Sequence, residues 1–174
     1  MKYSDIYRLY STSQPKDAIH QALREVPVDD SDEQYEDRSP LHLACQYGDA
    51  EGVKILLERD AEPNTKDANG STPIHILGRT SADRADEDKL KEIAVMLMEH
   101  GANIPRSAKN TTALIECVRN RHFKMAEAII NSGARVNSTD LNGENVLFGL
   151  CAASGDIKRD IQFAKKELDE SVQY

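Results

Sequence analysis

A short phrase occurs four times in this chain and constrains its fold more than any other feature: Ser39-Pro40-Leu41-His42, Thr72-Pro73-Ile74-His75, Thr112-Ala113-Leu114-Ile115 and Asn145-Val146-Leu147-Phe148. The second positions of the phrase lie 33, 40 and 33 residues apart. Self-similarity at a period of about 33 residues marks a stack of units, none of which can bury its apolar face alone. Each phrase opens with Ser, Thr or Asn, whose side-chain oxygen accepts a hydrogen bond from the orphan N–H groups of a helix start. Proline comes next in the first two, at the helical position where a missing N–H does no harm.

The residues after each phrase are periodic. Leu41, Leu43, Ala44 and Cys45 run to Gly48, and a second apolar set, Val53, Leu56 and Leu57, continues at helical spacing. This predicts a helical hairpin, with small residues at 44 and 45 for close helix approach and Gly48 in the turn. Ala94, Leu97, Met98, Gly101 and Ala102 keep the spacing in the second unit, and Ala126, Ile129, Ile130, Gly133 and Ala134 keep it in the third. Asp67-Ala68-Asn69-Gly70 and Asp140-Leu141-Asn142-Gly143 read as tight polar turns before the next helix.

On these residues the chain resembles the ankyrin repeat family, most specifically over Arg38 to Gly78 and in register to about Gly155. The resemblance implies an all-α solenoid of stacked helix-turn-helix units with β-turn, hairpin-like finger loops and helical caps at both ends. A single domain over 1–174 is expected, with degenerate capping helices over 1–33, repeats over 34–66, 67–106 and 107–139, and a degenerate C-terminal capping repeat over 140–174. Ile6, Leu9 and Tyr10, then Ala18, Ile19, Ala22 and Leu23, supply the first cap. The stripe Ile157, Ile161, Ala164 and Leu168, ringed by charge, supplies the last. With both ends closed, a complete protein is expected.

The second unit departs from the pattern. It holds eight extra residues between Pro73 and Gly101 relative to Pro40 to Asp60, concentrated around Thr80 to Lys89. One reading is a longer interhelix loop and an extra turn of outer helix, with Asp86, Glu87 and Asp88 at its positive end. The other is a projection shaped for a particular partner.

Chemistry is sparse. Cys45, Cys117 and Cys151 form an odd set without metal-ligand spacing and read as small core hydrophobes. His42 and His75 hold one repeat position, where the resemblance implies a histidine that braces the turn. His20, His100 and His122 share no ligand spacing, and no phosphate-cradling loop or nucleophile elbow occurs. No enzyme activity, cofactor or metal is expected. The net charge of -8, from 22 basic and 30 acidic residues, disfavours nucleic acid and anionic membrane as partners. No apolar run approaches the roughly 18 to 20 residues of a membrane span, and the N-terminus lacks an apolar leader. A monomeric, cytoplasmic protein with a protein partner is expected.

Carried over position by position, the resemblance implies partner contacts at finger tips and on the exposed side of the inner helices. These are Tyr35, Glu36, Arg38, Gln46 and Tyr47 in the first unit; Asn69, Ser71, Arg79 and Thr80 in the second; Lys109, Thr111, Arg119 and Asn120 in the third; and Asn142 and Glu144 in the fourth. Tyr47, Arg79 and Arg119 are preferred as anchors, because Tyr and Arg combine apolar area with a polar group. The row is acidic at its first finger and basic further along, a pattern able to orient a partner. The function implied is a non-catalytic interaction module: a stoichiometric inhibitor, an immunity-type protein or an adaptor. The alternative is a small-molecule or nucleic-acid site in a basic groove near Arg79, Lys109 and Arg119.

Overall fold

The computed structural model describes residues 2–81, 84–104, 112–134, 139 and 143. Among them are eight α-helices: α1 (Tyr3–Ser11), α2 (Lys16–Glu25), α3 (Pro40–Gln46), α4 (Ala50–Leu57), α5 (Pro73–Gly78), α6 (Glu87–Glu99), α7 (Ala113–Arg119) and α8 (Phe123–Asn131). They alternate between two rows. α1, α3, α5 and α7 pack in succession as the inner row, α2, α4, α6 and α8 as the outer row, and each inner helix also packs on the outer helix next in the chain. The result is an all-α repeat solenoid. The expected fourth unit and C-terminal cap over 140–174 lie, apart from Gly143, outside the described residues.

The repeated phrase starts helices as its chemistry dictates. Pro40 and Pro73 each occupy the first turn behind an extended Ser39 or Thr72. The cap, however, is reciprocal: the Ser39 N–H donates to Nδ1 of His42 at 3.1 Å, and the Thr72 N–H donates to Nδ1 of His75 at 3.3 Å. Thr112, whose unit lacks the histidine, caps α7 with its own hydroxyl, which accepts from the Ile115 N–H at 3.3 Å.

The core lies between the rows. Leu41, Ala44, Cys45, Ile74, Leu77, Leu114, Cys117 and Val118 from the inner helices meet Val53, Leu56, Leu90, Ile93, Leu97, Ala126 and Ile129 from the outer ones, all within 1 % of full burial. Replacing one of the buried leucines by alanine would cost about 2–5 kcal/mol. Burial pushes the thiols of Cys45 and Cys117 well above their ordinary pKa, so both are inert packing groups. Cys151 lies outside the described residues.

The surplus of the second unit divides between loop and helix. α6 has 13 residues where α4 has 8, and Asp86 caps it by accepting from the Lys89 N–H at 2.9 Å. Its buried stripe of Leu90, Ile93, Ala94 and Leu97 faces α8 and α4. The preceding loop lies back on the first unit. Ala85 sits against Gly48, where an added Cβ would come within 2.3 Å of the Ala85 Cβ. Gly48 also holds φ at +60°, so this position needs glycine on both counts.

Candidate functional site

The second finger is a tight turn organised by one side chain. Asp67 Oδ1 accepts from the N–H groups of Asn69 and Ser71 at 2.9 and 2.8 Å, while the Asp67 N–H donates to the Ser71 carbonyl at 2.9 Å. The Ala68 N–H donates to the Glu36 carbonyl at 2.7 Å, which joins this finger to the first. In the first finger Glu36 and Asp37 both hold positive φ, at 60° and 53°, without a glycine.

Histidine ties one unit to the next. Because Nδ1 of His42 accepts from Ser39, the ring proton resides on Nε2, which donates to the Ser71 carbonyl at 3.0 Å. Burial lowers the His42 pKa from 6.5 to about 4, so the ring is neutral at physiological pH. His122 acts one unit later, donating from Nε2 to the Thr80 carbonyl at 2.7 Å, and burial lowers its pKa too.

A polar strip runs across the inner row. Arg38 lies against Glu36 and, through Nε, 3.6 Å from buried Asp67 Oδ2, and its Nη1 donates to Gln46 Oε1 at 3.0 Å. Arg79, one unit on, donates from Nη1 to Ser71 Oγ at 3.3 Å and from Nη2 to Glu116 Oε1 at 3.0 Å. Asn120 donates back to the Gly78 carbonyl at 3.1 Å. Arg38 thus faces Asp67 across the first unit boundary, and Arg79 and Asn120 bond across the second.

The expected contact residues fall into distinct environments. Glu36 and Asn120 are exposed, and Tyr35, Arg38, Gln46, Tyr47, Asn69, Arg79 and Arg119 are half-buried. Two are corrected by the structure: Ser71 is fully buried and Thr80 is 3 % exposed, because the Ser71 carbonyl takes the His42 bond and the Thr80 hydroxyl donates to the Cys45 carbonyl at 3.0 Å. Neither side chain can offer a partner appreciable surface. Lys109, Thr111, Asn142 and Glu144 lie outside the described residues. Tyr47 is covered on two sides, stacked on Tyr10 at 4.8 Å and capped by the Arg84 guanidinium at 4.6 Å.

Sequence reasoning missed Glu116, which neutralises Arg79; Arg84, which the surplus loop delivers to Tyr47; and the ring cluster of Tyr3, Tyr7 and Tyr35. The i, i+4 spacing of Tyr3 and Tyr7 on one helix was the available signal for the last. The pairing of Arg79 with Glu116 also removes much of the free positive charge on which a basic groove depends. Among the described residues no group of His, Cys, Asp or Glu is placed to hold a metal ion, and no helix is long and apolar enough to cross a membrane.

Family models described as "Ankyrin repeats (many copies)" and "Ankyrin repeat" match residues 22–77 and 109–141. The chain is similar to neurogenic locus notch homolog protein 1 of Mus musculus, 34% identical over 134 residues that cover 76% of this chain and 5% of that protein. It is similar to ankyrin repeat protein nuc-2 of Neurospora crassa, 29% identical over 124 residues covering 70% and 10%. It is also similar to a transient receptor potential cation channel subfamily A member 1 homolog of Caenorhabditis elegans, 39% identical over 62 residues covering 36% and 5%. The chain thus spans 10% or less of the length of these curated relatives.

Proposed function

Since this chain belongs to the ankyrin repeat family, whose members are generally non-catalytic protein-interaction modules, we propose that it binds a protein partner through its finger loops and the exposed side of its inner helices. It has no catalytic activity of its own and works in the cytoplasm as a stoichiometric inhibitor, immunity-type protein or adaptor. The observation that carries this reading is the polar strip Arg38–Gln46–Arg79–Glu116: Arg38 is held by Gln46 within its unit and faces Asp67 of the next at 3.6 Å, and Arg79 donates to Glu116 across the following boundary. Side chains already ordered in the free protein lose little rotamer freedom on association, which favours affinity. Tyr35, Glu36, Asn69, Arg119 and Asn120 are further contacts, and Lys109, Thr111, Asn142 and Glu144, outside the described residues, are carried over from the resemblance by repeat position alone.

Affinity capture with the full chain tests the reading. A variant carrying Asn69→Ala, Arg79→Ala and Arg119→Ala is compared with a control changed on the outer helix α4 at exposed Glu51 and Lys54. With both folded by circular dichroism, the inner-face variant loses the partner and the outer-face control keeps it. Equal capture by both, or loss only in the control, would remove the inner face from the function.

A further inference from the structure

Between α1 and the first finger lies a cavity of about 340 Å3 lined by Tyr3, Tyr7, Gln34, Tyr35, Glu36, Arg38 and Leu43. One wall is aromatic: the Tyr35 ring lies 4.2 Å from that of Tyr7 and 5.7 Å from that of Tyr3. Tyr3 is 1% exposed, yet its buried hydroxyl has no hydrogen-bond partner. Buried hydroxyls are nearly always partnered, so this oxygen marks an incomplete site.

Charge narrows what completes it. Asp29, Asp30, Asp32, Glu33, Glu36 and Asp37 crowd the loop that closes the cavity. Asp30 Oδ2 accepts from the Tyr3 N–H at 2.8 Å, which brings the acidic loop against the start of α1. Arg38 is the cation among the lining residues; Glu36 and Gln46 hold its two Nη groups, and its Nε stands 3.6 Å from Asp67 Oδ2. An incoming carboxylate would meet like charge on Glu36 and on this loop. A purely apolar group would leave the Tyr3 hydroxyl bare.

We propose that this cavity receives a lysine or arginine side chain from a basic segment of the protein partner. The alkyl stem lies on the Tyr7 and Tyr35 rings, the cationic N–H groups donate to Tyr3 Oη, and the acidic loop that carries Asp30 and Asp32 supplies the counter-charge. The inference rests on the interaction reading above and names the chemistry of the partner at the first finger.

The test measures fluorescence anisotropy of labelled hexalysine on the full chain, with labelled hexaglutamate as the opposing probe. Wild type binds hexalysine in preference. Tyr3→Phe, which keeps the ring and removes only the oxygen, weakens binding about threefold or more, and Tyr35→Leu weakens it about tenfold. Glu51→Gln with Glu92→Gln removes two exposed acids on the outer helices α4 and α6, away from the cavity, and as the control for diffuse attraction leaves hexalysine binding within about twofold of wild type. Hexalysine binding unchanged by Tyr3→Phe, absent in wild type, or weaker than hexaglutamate binding would overturn the proposal. If Tyr35→Leu fails to fold, Tyr3→Phe decides alone. Failure here leaves the interaction reading standing where capture still depends on Arg79, because the two are read on different variants.

Discussion

Tyr10 and Asp49, 39 residues apart, are joined by a buried hydrogen bond of 2.8 Å from the phenol to Oδ2 of the carboxylate. Asp49 is 4% exposed and stands just before α4, and Nε2 of His20 on α2 approaches both of its oxygens at 3.0 Å. One carboxylate thus gathers the hairpin of α1 and α2 onto the next unit. Gly52 completes the fit, since an added Cβ there would fall 2.6 Å from Asp49 Oδ2 and 2.9 Å from the Tyr10 hydroxyl.

Removing the hydroxyl alone, as in Tyr10→Phe, leaves the stacking on Tyr47 but strips the buried carboxylate of a donor. The expected loss is about 1–3 kcal/mol. Urea unfolding at neutral pH checks it, and an unchanged midpoint would mean that His20 alone satisfies Asp49.

Acid destabilises the chain through His42. Its pKa is about 4 when folded against an ordinary 6.5, so the unfolded chain takes up a proton over that interval and the folded chain does not. The stability held by neutral His42 is complete above pH 6.5 and is lost as pH falls toward 4, by about 3 kcal/mol in all. An NMR titration of the ring is expected to show the Nε2-protonated tautomer persisting below about pH 5. His42→Gln is expected to flatten the dependence of the unfolding midpoint over the same range. A ring that titrates near 6.5 contradicts the assignment.

Positive φ predicts opposite outcomes at two turns. Gly48→Ala meets the Ala85 Cβ and an unfavourable backbone region together, and loses about 2 kcal/mol or more. Asp60 holds φ of 62° at the helix exit where the next two units place Gly101 and Gly133. Because Asp60 is exposed, Asp60→Gly is expected to stabilise by about 0.5 kcal/mol. Melting temperatures of the two variants should move in opposite directions.

The Arg79–Glu116 pair links α5 to α7 with side chains 28% and 12% exposed. A double-mutant cycle with alanine at each position is expected to give a coupling of about 0.5–1 kcal/mol that shrinks in about 1 M salt. Coupling indistinguishable from zero at low salt would show the contact to be incidental.

The repeated phrase carries most of the architecture because its meaning is local. Ser39, Pro40 and His42 make a helix start from adjacent residues, so four copies predict four starts, and the described residues contain three. The apolar spacing then gives the buried faces of α4, α6 and α8 from residue type alone. The site is less legible for a physical reason. Arg84 on Tyr47, Glu116 on Arg79 and Tyr10 on Asp49 are single side-chain pairings between units, and no period encodes them. Ser71 and Thr80 are expected at the surface because the resemblance assigns their repeat positions to partner contact. Their burial results from carbonyls and hydroxyls committed to the stacking itself.

Thr80 gives that stacking a mechanical consequence. Its hydroxyl reaches back to the carbonyl of Cys45, while its own carbonyl receives Nε2 of His122, so one residue grips the unit before and the unit after. The stability of a repeat array is a sum of terms for single units and for the interfaces between neighbours. Thr80 contributes to two of those interfaces at once. Tension applied along the axis would load both bonds at once.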